Sequence, residues 1–308
     1  MNRSPQEVAV TLDIQRDTLQ EEVPGLISDL MILTKVRLTL MVLVTTFVGF
    51  CWASESPMNW VLLLWTVLGT CLVAASAQVF NQVLEKDVDR LMERTRHRPL
   101  PALRMGRKKA SLLGGIAGSS GLLILGLGVN TLALVLAAST LAIYLGLYTP
   151  LKRRTPLCIA LGAVAGAIPP LIGWVAVRPV MESGAWILFG ILFCWQMPHF
   201  LAIAWMYRDE YAQAGFVMLR RRDTNGMVTA SESMIYSLLL TLITLAPYAL
   251  GLAGIWYLTG VLLCNSALLW YATRFVMNRT RASARRLFFC SIIYLPVLLS
   301  FVVFAKPQ

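Results

Sequence analysis

Asn81, Glu85 and Asp89 recur at every fourth position of the stretch N-Q-V-L-E-K-D-V-D-R-L-M-E-R-T-R-H-R-P-L-P, residues 81–101. On a helix, positions four apart are offset by about 40°, so Asn81 and Glu85 share a face and Asp89 falls slightly further round. Their carbonyl and carboxylate oxygens then converge on one volume, with Asp87 close by. Hard oxygen donors at this spacing suit Mg²⁺, which takes one or two carboxylates and fills its shell with water and substrate phosphate oxygens. Arg90, Arg94 and Arg98 follow, and guanidinium groups can meet anionic oxygens bidentately. In outline this is a diphosphate site. The competing reading is a loop at a membrane edge, in which acids and arginines simply pair. Two features weigh against it. Gln78 and Asn81 lie inside an apolar run, where polar groups are costly and mark function, and four of the chain's sixteen acids fall within 85–93.

Other chemistry-bearing residues are sparse. Asp209 and Glu210 follow a later apolar run, and Lys152, Arg153 and Arg154 occupy a short polar connection from which an anion could be reached. As a bare run, the three cations also read as topology signals. His199 follows Pro198 inside an apolar run with Trp195 and Phe200 beside it, and a lone intramembrane histidine generally hydrogen-bonds to a neighbouring helix. His97 lies among the arginines and is given no role. The six cysteines (51, 71, 158, 194, 264 and 290) are scattered singly, without a metal-ligand or redox spacing, and read as small core residues.

The elements that must position these groups are membrane helices. With 57% hydrophobic and 14% charged residues, the composition lies outside the range of soluble domains. Apolar runs of about 20 residues, enough to span hydrocarbon as self-satisfied helix, occur near 34–53, 59–82, 109–129, 131–149, 157–177, 184–206, 234–254, 256–274 and 287–305. The fold class expected is all-α, a nine-span integral membrane protein. If the N-terminus is cytoplasmic and the spans alternate, all 27 lysines and arginines except Arg178 and Lys306 fall on the cytoplasmic side. That asymmetry supports nine spans and explains the net charge of +11 without nucleic acid. Residues 1–30 are expected to form a polar cytoplasmic tail, ending near Pro24-Gly25, and 31–308 the membrane domain. The acids and cations of 83–108 and 207–232 would then share one face. Pairs such as Gly114/Gly118 and Gly162/Gly166 suit close helix contact. Acids gathered at one face rather than at mid-depth argue against a carrier.

The stretch 81–89 resembles the first aspartate-rich motif of the UbiA-type intramembrane prenyltransferases, N-D-x-x-D-x-x-x-D, with Gln82 and Glu85 at two positions usually held by aspartate. With D-R-L-M-E-R-T-R-H-R-P-L-P after it, Y-T-P-L-K-R-R-T-P at 148–156, A-G-A-I-P-P-L-I-G-W at 165–174, W-Q-M-P-H-F at 195–200 and R-D-E-Y-A-Q-A-G-F-V-M-L at 208–219, it is similar to the haem O synthase branch. The resemblance implies nine helices around a central cavity open to the cytoplasmic side of a bacterial inner membrane. It implies transfer of farnesyl from farnesyl diphosphate to haem b, with Mg²⁺ held by Asn81, Glu85, Asp89 and Asp209. Arg94, Arg98, Lys152, Arg153 and Asp209 would meet the diphosphate. His199 and Trp195 would meet the haem, some 15 Å below the charged rim at 1.5 Å per residue. Membrane lipid, and a haem A synthase or terminal-oxidase assembly factors, are the partners it suggests. The second acidic motif departs from the usual D-x-x-x-D, with Gln213 four residues beyond Asp209. Prenylation of an aromatic quinone precursor is the alternative within the superfamily.

Overall fold

The computed structural model describes residues 25–304, so most of the expected tail lies outside the described residues. The elements are α1 (Leu26–Leu33), α2 (Val36–Ala53), α3 (Trp60–Asp89), α4 (Arg107–Gly128), α5 (Thr131–Leu151), α6 (Cys158–Val177), α7 (Ser183–Met206), α8 (Arg208–Gln213), α9 (Met227–Ala249), α10 (Ile255–Asn278) and α11 (Arg281–Phe304). Among the described residues there is no strand, and nine helices are long and apolar enough to cross a membrane, as the apolar runs predict.

The differences from the sequence reading lie at helix ends. α3 runs on to Asp89 instead of stopping near 82, because Val83 and Val88 stay buried and Leu84, Glu85 and Lys86 between them are good helix formers. α9 starts at Met227, earlier than the apolar run, because the Asp223 carboxylate accepts from the backbone N–H groups of Val228 (3.0 Å) and Thr229 (2.8 Å). α1 begins inside the stretch expected to be tail. Its Asp29 takes a bidentate grip from Arg104, at 2.8 Å in the ion pair, while Leu26, Ile27 and Met31 are exposed.

Small residues set the tightest packing. A Cβ on Gly49 would overlap the Pro170 carbonyl, and one on Gly173 would overlap the Thr46 carbonyl, so α2 and α6 meet backbone to backbone. Gly118 likewise lies against Ser76, whose hydroxyl donates to the Gly114 carbonyl at 2.7 Å, and Gly162 lies against Tyr148. Gly173→Ala is therefore expected to lower the thermal stability of the purified protein by about 1–3 kcal/mol or more, the range for overpacking a closed contact. An unchanged melting temperature would contradict the backbone-to-backbone contact.

Two irregularities serve the polar end of the bundle. α5 winds as π-helix over Ala142–Tyr148, a local widening frequent at functional sites. It stacks Tyr144 on Tyr148 at 5.1 Å and leaves Thr149 buried against α3. α7 contains Pro198, which cannot donate to the preceding turn, directly before His199. At the other end Arg178 bonds to Glu55 (2.8 Å), Glu182 (3.2 Å) and the Ala53 carbonyl (3.1 Å).

Candidate functional site

Asn81, Glu85 and Asp89 lie on one face of the last turns of α3 and are all buried, whereas Asp87 is exposed. Each of the three meets a cation delivered by a different segment. Lys35 Nζ donates to Asn81 Oδ1 at 3.1 Å, Lys152 Nζ to Glu85 Oε1 at 2.8 Å and Arg98 Nη1 to Asp89 Oδ2 at 2.7 Å. The Asn81 amide also donates to Thr149 Oγ1 at 3.3 Å. Two carboxylates and an amide oxygen thus face Lys152, Arg98 and Lys35, and the third positive charge, on Lys35, is the one an incoming anion would favour.

The two lysines are held differently. Burial opposes the charge on Lys152, but Glu85 outweighs it and raises its pKa above the ordinary lysine value. Lys35 meets only a neutral amide oxygen; burial, helped by the charges of Arg98 and Lys152, pushes its pKa down to about 7. A bound anion would favour its charged form. Lys35 adopts a left-handed backbone conformation (φ 47°, ψ 58°), uncommon for a residue with a Cβ. The turn is fixed by Gln82, whose Nε2 donates to the carbonyls of Ile32 (2.9 Å) and Leu33 (2.8 Å). Gln82 thus acts as a strut through its amide nitrogen, while its Oε1 is buried without a hydrogen-bond partner.

The connections after α3 and α7 meet at the same end, as their sequence positions predict. Arg94 Nη2 donates to the Tyr211 hydroxyl at 3.4 Å, and the Val217 N–H donates to the Lys152 carbonyl at 2.6 Å. Arg94 and Asp209 do not join Asn81, Glu85 and Asp89. They line a separate hollow with Glu93, Tyr207, Glu210 and Arg281, and the Asp209 side chain is 83% exposed, 3.6 Å from Arg208. The helix axis breaks at Tyr207 and restarts as α8, carrying Asp209 outward. Arg153 is exposed. Among the described residues no three histidine, cysteine or acidic side chains cluster as a metal site. The hard oxygen set here comprises Asn81, Glu85 and Asp89, and that chemistry fits Mg²⁺.

His199 and Trp195 of α7 come together against α11. Trp195 stacks on the imidazole at 5.0 Å and Phe288 tilts against it at 4.8 Å. Trp195 Nε1 donates to the Ser291 carbonyl at 2.7 Å, and His199 Nδ1 lies 2.8 Å from Ser291 Oγ. The histidine thus does bond to a neighbouring helix, one expected property of a lone intramembrane imidazole. It lies seven residues before the end of α7, about 10 Å along the axis.

Residues 42–293 match the UbiA prenyltransferase family. The chain belongs to that family. It is 39% identical over 284 residues to the protoheme IX farnesyltransferase of Solibacter usitatus, covering 89% of this chain and 97% of that one. Among solved structures, a digeranylgeranylglyceryl phosphate synthase covers 91% of this chain at a TM-score of 0.77 and 18% identity, with 98% of its own length covered. A UbiA homologue from Archaeoglobus fulgidus, solved with GPP and Mg²⁺, covers 89% of this chain at 0.64 and 14% identity, with 99% of its own length covered. The UbiA fold and a multi-pass membrane protein are therefore the architecture of this chain.

For this UbiA-family chain, sequence reasoning missed Lys35, Thr149, Gln82 and Ser291. Lys35 is visible in the sequence only as one more cation at the start of the first span. Gln82 is visible as a departure from the aspartate-rich pattern, which marks its position without saying what it holds.

Proposed function

We propose that this protein is a protohaem IX farnesyltransferase, a haem O synthase, transferring farnesyl from farnesyl diphosphate to a vinyl group of haem b. The observation that carries this reading is the 39% identity to a relative of that name, sustained over nine-tenths of the chain. The buried cluster on α3 supports it chemically. Mg²⁺ held by oxygens of Asn81, Glu85 and Asp89, as the metal-bound homologue makes plausible, would neutralise charge on the departing diphosphate. Lys35, Lys152 and Arg98 already stand one hydrogen bond from those oxygens and supply positive charge where the leaving group needs it. The stacked Tyr144 and Tyr148 offer π-faces to an allylic cation beside the cluster, and Lys152 Nζ already lies 4.4 Å from the Tyr148 ring centre.

The bond from farnesyl C1 to oxygen breaks and its electron pair leaves with diphosphate. The vinyl π-pair forms the new carbon–carbon bond, water captures the resulting cation, and one proton is released, giving the hydroxyethylfarnesyl group. His199 and Trp195 are the residues assigned to the haem, and Arg94, Arg153 and Asp209 are assigned to the rim that diphosphate crosses. On this reading the charged end faces the cytoplasm of a bacterial inner membrane, with the N-terminus on that side, and the product passes to a haem A synthase or an oxidase.

Purified protein in lipid, given haem b, an aromatic quinone precursor, farnesyl diphosphate and Mg²⁺, should yield prenylated haem by mass. A prenylated quinone precursor with unmodified haem would overturn the assignment.

A further inference from the structure

Ser291 makes three contacts that together fix the chemistry of His199. Its hydroxyl lies 2.6 Å from the Phe288 carbonyl and 2.8 Å from His199 Nδ1. A carbonyl oxygen can only accept, so the short contact to Phe288 uses the one hydroxyl proton. Were that proton turned to His199 instead, two oxygen lone pairs would face each other at 2.6 Å with nothing between them. The hydroxyl must therefore accept from the imidazole, so Nδ1 carries the ring proton and Nε2 keeps its lone pair. Nε2 makes no hydrogen bond to any described residue, and His199 is only partly buried. The ring also packs against Trp195, Phe200 and Phe288, and Trp195 is itself tied to the Ser291 carbonyl. One residue of α11 thus orients both Trp195 and His199 of α7.

We propose that Ser291 is a positioning residue that holds His199 as the Nδ1–H tautomer and so presents the Nε2 lone pair to the iron of the haem substrate. This inference rests on the haem-prenylating reading above. Iron accepts imidazole nitrogen. Metal-binding histidines generally donate their other ring N–H to a fixed acceptor, and loss of that acceptor typically costs about 10–100-fold in affinity. Anchoring the iron would fix the porphyrin in one orientation relative to the prenyl donor, so the relay bears on which edge of the ring is presented.

The test uses the purified full chain in lipid nanodiscs, titrated with ferric haem b and followed by Soret absorbance and electron paramagnetic resonance, with product formation measured in parallel. Wild type should show an imidazole-ligated spectrum that His199→Ala abolishes. Ser291→Ala should bind haem about tenfold more weakly with an altered spectrum, and Ser291→Thr, which keeps the hydroxyl, should restore both. KM for farnesyl diphosphate should stay unchanged, which separates positioning from general loss of structure. Prenylated haem from the wild type, with identical haem affinity and spectrum for Ser291→Ala, overturns the relay alone. An imidazole spectrum that survives in His199→Ala overturns the ligation. A wild type that forms no prenylated haem overturns the functional reading, and the relay with it.

Discussion

Glu85→Gln should lower kcat/KM for farnesyl diphosphate by about 10²–10³, the usual range for removing one group that stabilises developing charge, while Asp87→Asn stays within a few-fold of wild type. The two acids are two positions apart in sequence but differ in exposure. Glu85 is buried and bonded to Lys152 at 2.8 Å, and Asp87 is exposed. Glutamine keeps an oxygen for Lys152 but removes the charge that a metal needs. A purely structural role predicts a different pattern. Breaking a buried ion pair by neutralising one partner destabilises by up to about 3–5 kcal/mol, whereas replacing both partners is often neutral. The pair Glu85→Gln with Lys152→Met should therefore recover thermal stability relative to Glu85→Gln alone without recovering activity. If the double variant regained transfer, the pair would be a strut and the metal assignment would fall. The measurement is product formation across a Mg²⁺ titration, with melting temperature recorded on the same samples.

The contrast between Glu85 and Asp87 also shows which parts of the site are legible in the sequence. An apolar run of about 20 residues is a one-dimensional signal, so all nine spans could be read directly. The face shared by Asn81, Glu85 and Asp89 could be read because α3 continues through its charged end, and helix periodicity then does the placing. Periodicity stops where the helix stops. Beyond Asp89 the chain turns, and nothing in the spacing says that Arg98 returns to Asp89 while Arg94 goes to Tyr211. Asp209 is a similar case: its family position suggests the diphosphate, but the break at Tyr207 carries its side chain outward. Ser291 left no signal at all, because a serine in the last span acquires meaning only from the imidazole that α7 brings to it.

Lys35 is the largest omission of that kind, and its neutralisation is the second large effect expected. Lys35→Met should raise KM for farnesyl diphosphate by about 10–100-fold, the scale of one lost charge-assisted contact of about 1.5–3 kcal/mol, with little change in KM for haem. The contact depends on a turn that Lys35 closes only in part, through its own N–H to the Ile32 carbonyl at 3.2 Å. Its left-handed backbone is held in register because Gln82 donates to the carbonyls of Ile32 and Leu33, three and two residues before it. Gln82→Met keeps the length of the side chain and removes both donors, leaving α1 without its tie to α3 at that point. It should therefore reproduce much of the Lys35→Met phenotype, a raised KM for the diphosphate substrate, although residue 82 touches neither that lysine's ammonium nor the acids. The two changes act through one structural unit, so their combination should be far from additive. Additive losses would mean that Gln82 acts elsewhere, and unchanged KM in Lys35→Met would remove Lys35 from the site altogether. A Gln82→Met protein with a wild-type KM would show that the strained turn stands without its strut. The position where this chain departs from the acidic pattern would then have no part in shaping the anion site.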